Sequence, residues 1–307
     1  MSNNRNAQER DLSLMFKKKL ASINGETGRP DTQLRSLQEF SSFCSTISPD
    51  RQRDEMELAH RCSCAAEKAI DVPGFCEVCG EQVSFHLDFM YSDGVTLNFR
   101  EQLVCPKCRL NNRQRYIVST VLSAYVPGQS VYLYEQITAA FKAMESHLGA
   151  RNVTGSEYIA DGLRSGTKVN GILHEDAEHL SFADASFDMI VSCDVFEHVN
   201  NYENCFGEAA RVLKPGGKLY LSIPFYVDRQ ENHRRAGIEG GRLVHYDAPI
   251  YHGNPMKDEG SLVFWDYGWG ILDDLKRAGF CDAFMAPYYS KEYGYIGGIP
   301  FLFVASK

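Results

Sequence analysis

Two short apolar runs, residues 187–192 and 219–225, stand out from the mixed polarity of the chain. Each is too short for a buried helix, and a polar, helix-length segment joins them, so they read as strands buried in a parallel sheet. Lys214-Pro215-Gly216-Gly217 turns the chain sharply into the second run. Strand, crossover helix, strand is βαβ grammar, and it predicts a ligand crevice at the carboxyl ends of the strands. The same alternation extends both ways. It predicts strands over 130–135, 153–158 and 169–174, a helix over 137–147, a helix over 267–278 stopped by Gly279, and a closing antiparallel pair over 280–287 and 301–305. Pro127-Gly128 marks where this part begins. Before it, residues 11–20, 32–47 and 50–70 have helical spacing, with Leu34, Leu37, Phe40 and Phe43 on one face. Gly25, Gly28, Pro30 and Ser48-Pro49-Asp50 break that region. It reads as a cap or an oligomerisation element.

A chain of 307 residues suggests about two domains and an ample core. No apolar run approaches the ~20 residues that a bilayer crossing needs, and the first residues lack the apolar centre of a signal peptide, so a cytoplasmic location is the default expectation and no membrane partner is expected. Residues 1–127 are balanced in charge, so the net charge of −8 falls on the remainder. That argues against a broad polyanion-binding surface.

Cys76-Glu-Val-Cys79-Gly80 and Cys105-Pro-Lys-Cys108 are two C-x-x-C units. Each can curl into a knuckle that aims both sulfurs at one point, and two knuckles complete a closed, structural tetrahedral zinc site. Between them Phe85, Leu87, Phe89 and Tyr91 alternate with polar residues, as in the β-hairpin arm of a zinc-ribbon-like module. A redox pair or plain reduced thiols are the competing readings. The other cysteines show no such pairing and read as buried thiols, with Cys193 alone at a strand end facing the crevice. After the second knuckle, Lys107, Arg109, Arg113 and Arg115 occur with no acid between them. This basic run is a nucleic-acid contact in one reading. In the favoured one, its arginines pair with carboxylates of the acidic domain or clamp an anionic substrate.

The order Asp176-Ala177, Phe187-Asp188, Glu197-His198-Val199 and Arg211-Val-Leu-Lys-Pro-Gly-Gly217 resembles class I S-adenosylmethionine-dependent methyltransferases over roughly the C-terminal three-fifths of the chain. The resemblance implies an α/β, Rossmann-like, seven-stranded sheet. The expected organisation is therefore a helical cap over 1–70, a zinc-ribbon-like module over 71–127 and a methyltransferase domain over 128–307. It also implies S-adenosylmethionine as cofactor. Glu157 would receive the ribose hydroxyls, Asp176 the adenine amino group with the backbone of Ala177 beside the ring, and Cys193 and Asp194 would line the methionine side. One departure is sharp. Where the family has a glycine-rich loop, this chain has Glu135-Gln136-Ile137-Thr138-Ala139 and no glycine. Either the cofactor lies farther out, held by Glu135 and Gln136, or binding is lost; retention is the reading adopted here.

The long stretch after the fifth strand, 228–260, is expected to form the substrate side, with Arg234, Arg235 and Tyr251 contacting a polar or anionic small molecule. Methyl transfer from a sulfonium needs positioning first and a proton acceptor second. His198 is the first candidate base, followed by His245 and His252. The Asp194-x-x-Glu197-His198 cluster could alternatively hold a divalent cation. The expected activity is methylation of O or N on a small or medium-sized metabolite in biosynthesis. Aminocarboxypropyl transfer or cyclisation, RNA methylation, and a non-catalytic scaffold are the alternatives. The sequence leaves the oligomeric state open.

Overall fold

The computed structural model describes residues 32–93, 96–254 and 256–307. The helix expected over 11–20, with its glycine and proline breakers, lies outside them. Ser36 caps α1 (Leu37–Cys44) by accepting from the Glu39 N–H. Ser48 caps α2 (Pro49–Cys64), which has proline in its first turn, where the missing N–H costs nothing. Just before α1, Leu34 exchanges two backbone hydrogen bonds with Met285, of 2.9 and 2.8 Å.

The two strands β1 (Ala69–Cys76) and β2 (Glu81–Asp88) pair antiparallel, with the first cysteine knuckle at the hairpin tip. The expected arm between the cysteine pairs is therefore only half formed. Strand β2 turns Phe85 and Leu87 inward, but its partner precedes Cys76, and the module starts at 69. Asp88 ends β2 by accepting the Met90 N–H at 2.7 Å, which turns the chain away from the ladder. The return segment rejoins the hairpin through a bridge between His86 and Val104. Helix α3 (Asn112–Ala124) then begins with a reciprocal capping box between Asn111 and Gln114.

Beyond Pro127 come β3 (Val131–Leu133), α4 (Ala139–Leu148), β4 (Val153–Gly155), β5 (Thr167–Val169), β6 (Ile172–His174), β7 (Phe187–Cys193), α5 (Tyr202–Val212) and β8 (Leu213–Ser222). The insertion contributes β9 (His233–Arg234), β10 (Ala236–Glu239), β11 (Arg242–His245), β12 (Tyr251–Asn254), β13 (Lys257–Leu262) and β14 (Trp265–Asp266). Helix α6 (Gly270–Arg277) leads to β15 (Asp282–Pro287) and β16 (Phe301–Ser306).

Among the described residues the central sheet has six strands, in the order β15-β16-β8-β7-β3-β4, where seven were expected. Strands β3, β4, β7 and β8 are parallel, and β15 and β16 are the predicted antiparallel pair. The missing strand is the one placed over 169–174. Asn170 (φ 51°) and Gly171 (φ 85°) fold that stretch into a β5–β6 hairpin, which meets the sheet through one bridge between Glu157 and His174. Alternation along the strands divides the core between two faces. Val131, Leu133 and Val191 pack with the cysteine module, α3 and α4, whereas Tyr132, Ile190 and Leu219 pack with α5 and α6.

The cysteine module and the sheet share one core. Phe85, Leu87 and Leu103 belong to the same buried cluster as Val131 and Tyr288. Arg115, fully buried in α3, lies 3.9 Å over the Phe85 ring and donates to the carbonyls of Tyr293 and Gly294. Gly294 (φ 61°) is required there, because a Cβ would lie 2.8 Å from that ring.

Candidate functional site

The two C-x-x-C units form matching knuckles. Gly80 N–H returns to Cys76 O at 2.8 Å and Arg109 N–H to Cys105 O at 3.0 Å, with Gly80 and Arg109 both at positive φ. The four sulfurs lie within 4.8 Å of one another, with Cys76 to Cys108 at 3.8 Å and Cys79 to Cys105 at 3.7 Å. Those separations are far too long for disulfides. They equal the spacing of about 3.8 Å that sulfurs adopt around a tetrahedral ion at a metal–sulfur distance of about 2.3 Å.

The second concentration of chemistry sits at the carboxyl ends of β3, β4 and β7. Asp194 follows β7 with φ 55°, a left-handed conformation that aspartate tolerates better than most residues. Its carboxylate accepts from Arg100 at 2.6 and 2.8 Å, from Ser222 Oγ at 3.1 Å, and lies 3.1 Å from Arg113 Nη2. Burial alone would raise its pKa, but the two guanidiniums hold it below the ordinary carboxylate range. Glu101 completes the lattice, accepting from Arg113 Nε at 2.7 Å and from Asn111 Nδ2 at 2.7 Å. Both arginines come from the chain that follows the first cysteine knuckle, so the cysteine module supplies cations to the sheet's ligand end.

Beside them, Glu135 is buried and its Oε1 has no hydrogen-bond partner. Desolvation pushes its pKa up to about 7, with the Cys193 thiol and Arg113 pulling partly the other way. Burial likewise raises the thiol of Cys193. Gly155 lets the strands close here, since a Cβ would come 2.6 Å from the carbonyl of Glu135.

The glycine-free loop runs directly into α4. Thr138 caps α4, and no residue from 136 to 138 has positive φ. Gln136 turns its amide to the β5–β6 hairpin, accepting from Leu173 N–H at 2.8 Å and donating to Gly171 O at 3.2 Å. Glu157 Oε1 accepts from the backbone N–H groups of Gln136 and Ile137 at 2.7 and 3.0 Å. Glu157 therefore secures this loop with one oxygen. Asp176 Oδ1 accepts from the Glu178 N–H at 2.9 Å, and Ala177 is buried beside it.

A cavity of about 550 Å³ opens on the same end of the sheet, bounded by α2, residues 96–100 and residues 296–301. Arg100, Arg113 and Ser222 form its polar wall; Leu97, Tyr288 and Phe301 are among its apolar lining. Glu55 of α2 fixes its rim, accepting from the N–H groups of Gly297 and Gly298 at 3.2 and 3.0 Å.

The insertion brings His198 and His252 together, with ring centroids 5.0 Å apart, and both face Glu197. His245 is exposed on the β10–β11 hairpin. Arg234 is engaged with Asn200 at 2.9 Å and lies over the Trp265 ring, and Arg235 pairs with Asp266 at 3.0 Å. Those two arginines anchor the insertion, and Tyr251 is exposed. The basic run divides as well. Arg113 and Arg115 are held inside by Asp194, Glu101 and backbone carbonyls, while Lys107 pairs with Glu81 at 2.6 Å. Arg115 is fully buried and Arg113 largely so, and the carboxylates and carbonyls around them compensate that burial.

Sequence reasoning missed Arg100, Glu101 and Glu55, which carry no local motif. The one available signal was the excess of acids at the strand ends, which calls for nearby cations. Of the alternative cation cluster Asp194-x-x-Glu197-His198, Asp194 pairs with arginines, while Glu197 and His198 lie together with His252.

Residues 137–221 match the family model described as "Methyltransferase domain". An arsenite methyltransferase of Aquipseudomonas alcaligenes is 46% identical over 56 residues, which is 18% of this chain and 16% of that protein. The chain therefore spans about a sixth of that relative's length. A crystal structure of an S-adenosylmethionine-dependent methyltransferase from Mesorhizobium loti is 18% identical with a TM-score of 0.37, covering 62% of this chain and 98% of its own. A Burkholderia thailandensis 1,6-didemethyltoxoflavin-N1-methyltransferase with bound S-adenosylhomocysteine is 12% identical with a TM-score of 0.38, covering 64% of this chain and 78% of its own.

Proposed function

We infer that this chain, an S-adenosylmethionine-dependent methyltransferase by its matched domain, methylates an oxygen or nitrogen of a small molecule seated in the cavity beside Arg100 and Arg113. The observation that carries this reading is the buried, half-unpartnered carboxylate of Glu135 beside the Arg113 guanidinium at the ends of the parallel strands. A zwitterionic amino-acid end needs an anion and a cation within one pocket, and this pair supplies both. Glu157, Asp176 and the backbone of Ala177 would hold the nucleoside, and Gln136 and Cys193 would border it. The sulfonium, once bound, supplies the electrophilic methyl group. The chain's own task is to align the acceptor in line with it and to manage the acceptor's proton.

The cavity fits an acceptor with an apolar body and a polar or anionic end, because its apolar walls meet the guanidiniums at one side. His198 Nδ1 must donate to the Leu262 carbonyl, 2.8 Å away, which leaves Nε2 with its lone pair toward Glu197 and His252. The cysteine cluster holds a structural zinc ion, which locks the two knuckles and so positions Arg100 and Arg113.

Calorimetric titration of the purified chain with S-adenosylhomocysteine tests the reading. Saturable one-to-one binding is expected, at least about tenfold weaker in Glu157→Gln, since the loop-holding acid is also a nucleoside ligand. No heat at millimolar ligand would leave a non-catalytic scaffold.

A further inference from the structure

The turn Phe196–His198 and the insertion hairpin β12–β13 enclose a group that the placement of a nucleoside and an acceptor does not use. Glu197 is 0% exposed, and neither of its carboxylate oxygens has a hydrogen-bond partner. A buried carboxylate in that state costs several kcal/mol unless something compensates it. Its neighbours are two imidazoles, with His198 Nε2 3.6 Å and His252 Nδ1 3.5 Å from the same oxygen, Oε1.

Those distances are too long for N–H···O hydrogen bonds, which cluster near 2.9 Å. They come nearer to another spacing. Ligand atoms about 2.1 Å from one ion, at angles between octahedral and tetrahedral, lie about 3.0–3.4 Å apart, so a bound ion would draw the two imidazoles slightly closer to the carboxylate. The tautomer agrees. Because the Leu262 carbonyl can only accept, His198 carries its proton on Nδ1 and presents a free lone pair on Nε2, which is how outer partners orient metal-binding histidines. The backbone holds the third member too. Phe264 N–H bonds Glu197 O at 2.7 Å, and Gly260 (φ 79°) passes so close to His252 that a Cβ there would collide with the His252 carbonyl.

We propose that Glu197, His198 and His252 bind a divalent first-row transition-metal ion, two imidazoles and one carboxylate on one side, with the remaining positions open. Such a set suits iron(II) or zinc better than magnesium, which prefers oxygen ligands alone. It differs from the cysteine centre, whose four thiolates leave no open position. A metal with open positions takes an acceptor's oxygen or nitrogen and eases loss of its proton, and this role rests on the methyl-transfer reading; the ion site itself does not.

The test uses the full-length protein, cleared of loosely held metal with a chelator and titrated with Co²⁺ alone. Retained metal is measured by plasma emission, and the sulfur-to-cobalt absorption reports the cysteines separately. The wild-type chain is expected to bind one equivalent more than His252→Ala, with the sulfur-to-cobalt band unchanged between them. His252 is partly exposed, so its loss leaves the core intact, and Glu197→Gln and Gly260→Ala are expected to weaken the same equivalent at least about tenfold. Equal uptake by the wild type and His252→Ala overturns the proposal, and Glu197 is then the counter-ion of a protonated imidazole. A failed titration with S-adenosylhomocysteine leaves this result untouched, so the two ideas fall separately.

Discussion

The cysteine centre and the cluster at the strand ends both gather reactive groups, but by opposite routes. The four cysteines lie on two local knuckles of the same design, so any fold that brings the knuckles together makes the site. At the strand ends, Arg100, Glu101 and Arg113 come from the cysteine module, Glu135 from β3's end, Asp194 from β7's end and Ser222 from β8. No short segment contains the arrangement, and the buried carboxylate of Asp194 is tolerated there only because another element delivers its cations. One site is a property of spacing. The other is a property of packing.

The strongest way to break that contrast is to remove one thiolate. If the four thiolates hold zinc as proposed, Cys105→Ser should abolish that binding and unfold the β1–β2 hairpin, because metal binding at such sites contributes about 10–16 kcal/mol of apparent folding energy. The shared core carries the damage onward, so a large loss of soluble, cooperatively melting protein is expected by circular dichroism. Retention of wild-type melting would mean that the module stands without metal.

A smaller but still substantial effect is expected from Arg113→Met. It leaves Glu101 and Asp194 short of one buried cation, which costs about 3–5 kcal/mol for buried pairs. Denaturant unfolding measures it. If the loss is under about 1 kcal/mol, the lattice is ornamental to folding and the packing side of the comparison fails.

Glu135 gives the gentlest probe. Burial raises its folded pKa to about 7 from 4.5, so the native state prefers the protonated acid. Its contribution is present below pH 4.5 and is lost as pH rises through about 7, a penalty of about 3 kcal/mol at pH 8. Glu135→Gln should therefore melt higher than wild type at pH 8 and at nearly the same temperature at pH 4.5. Bound S-adenosylhomocysteine should shrink the difference by placing an ammonium beside the carboxylate.

Much of this was legible in the residues. The βαβ succession, the closing antiparallel pair, the sulfur set and the break at Ser48-Pro49 follow from local spacing and turn chemistry. The lost strand over 169–174 was not, because Ile172 and Leu173 look like strand residues whether they join the sheet or fold back at Gly171. Nor did the chain reveal that Asp194 faces arginines rather than Glu197, or that His252, far along the sequence, meets His198.

The sequence determined those features whose partners are neighbours: periodicity sets which face is apolar, and a C-x-x-C spacing aims two sulfurs together whatever surrounds it. Tertiary structure alone decided which charges neutralise one another and which stay unpartnered. Coulombic and desolvation energies depend on distance through the fold and on burial, and neither is written in the order of residues.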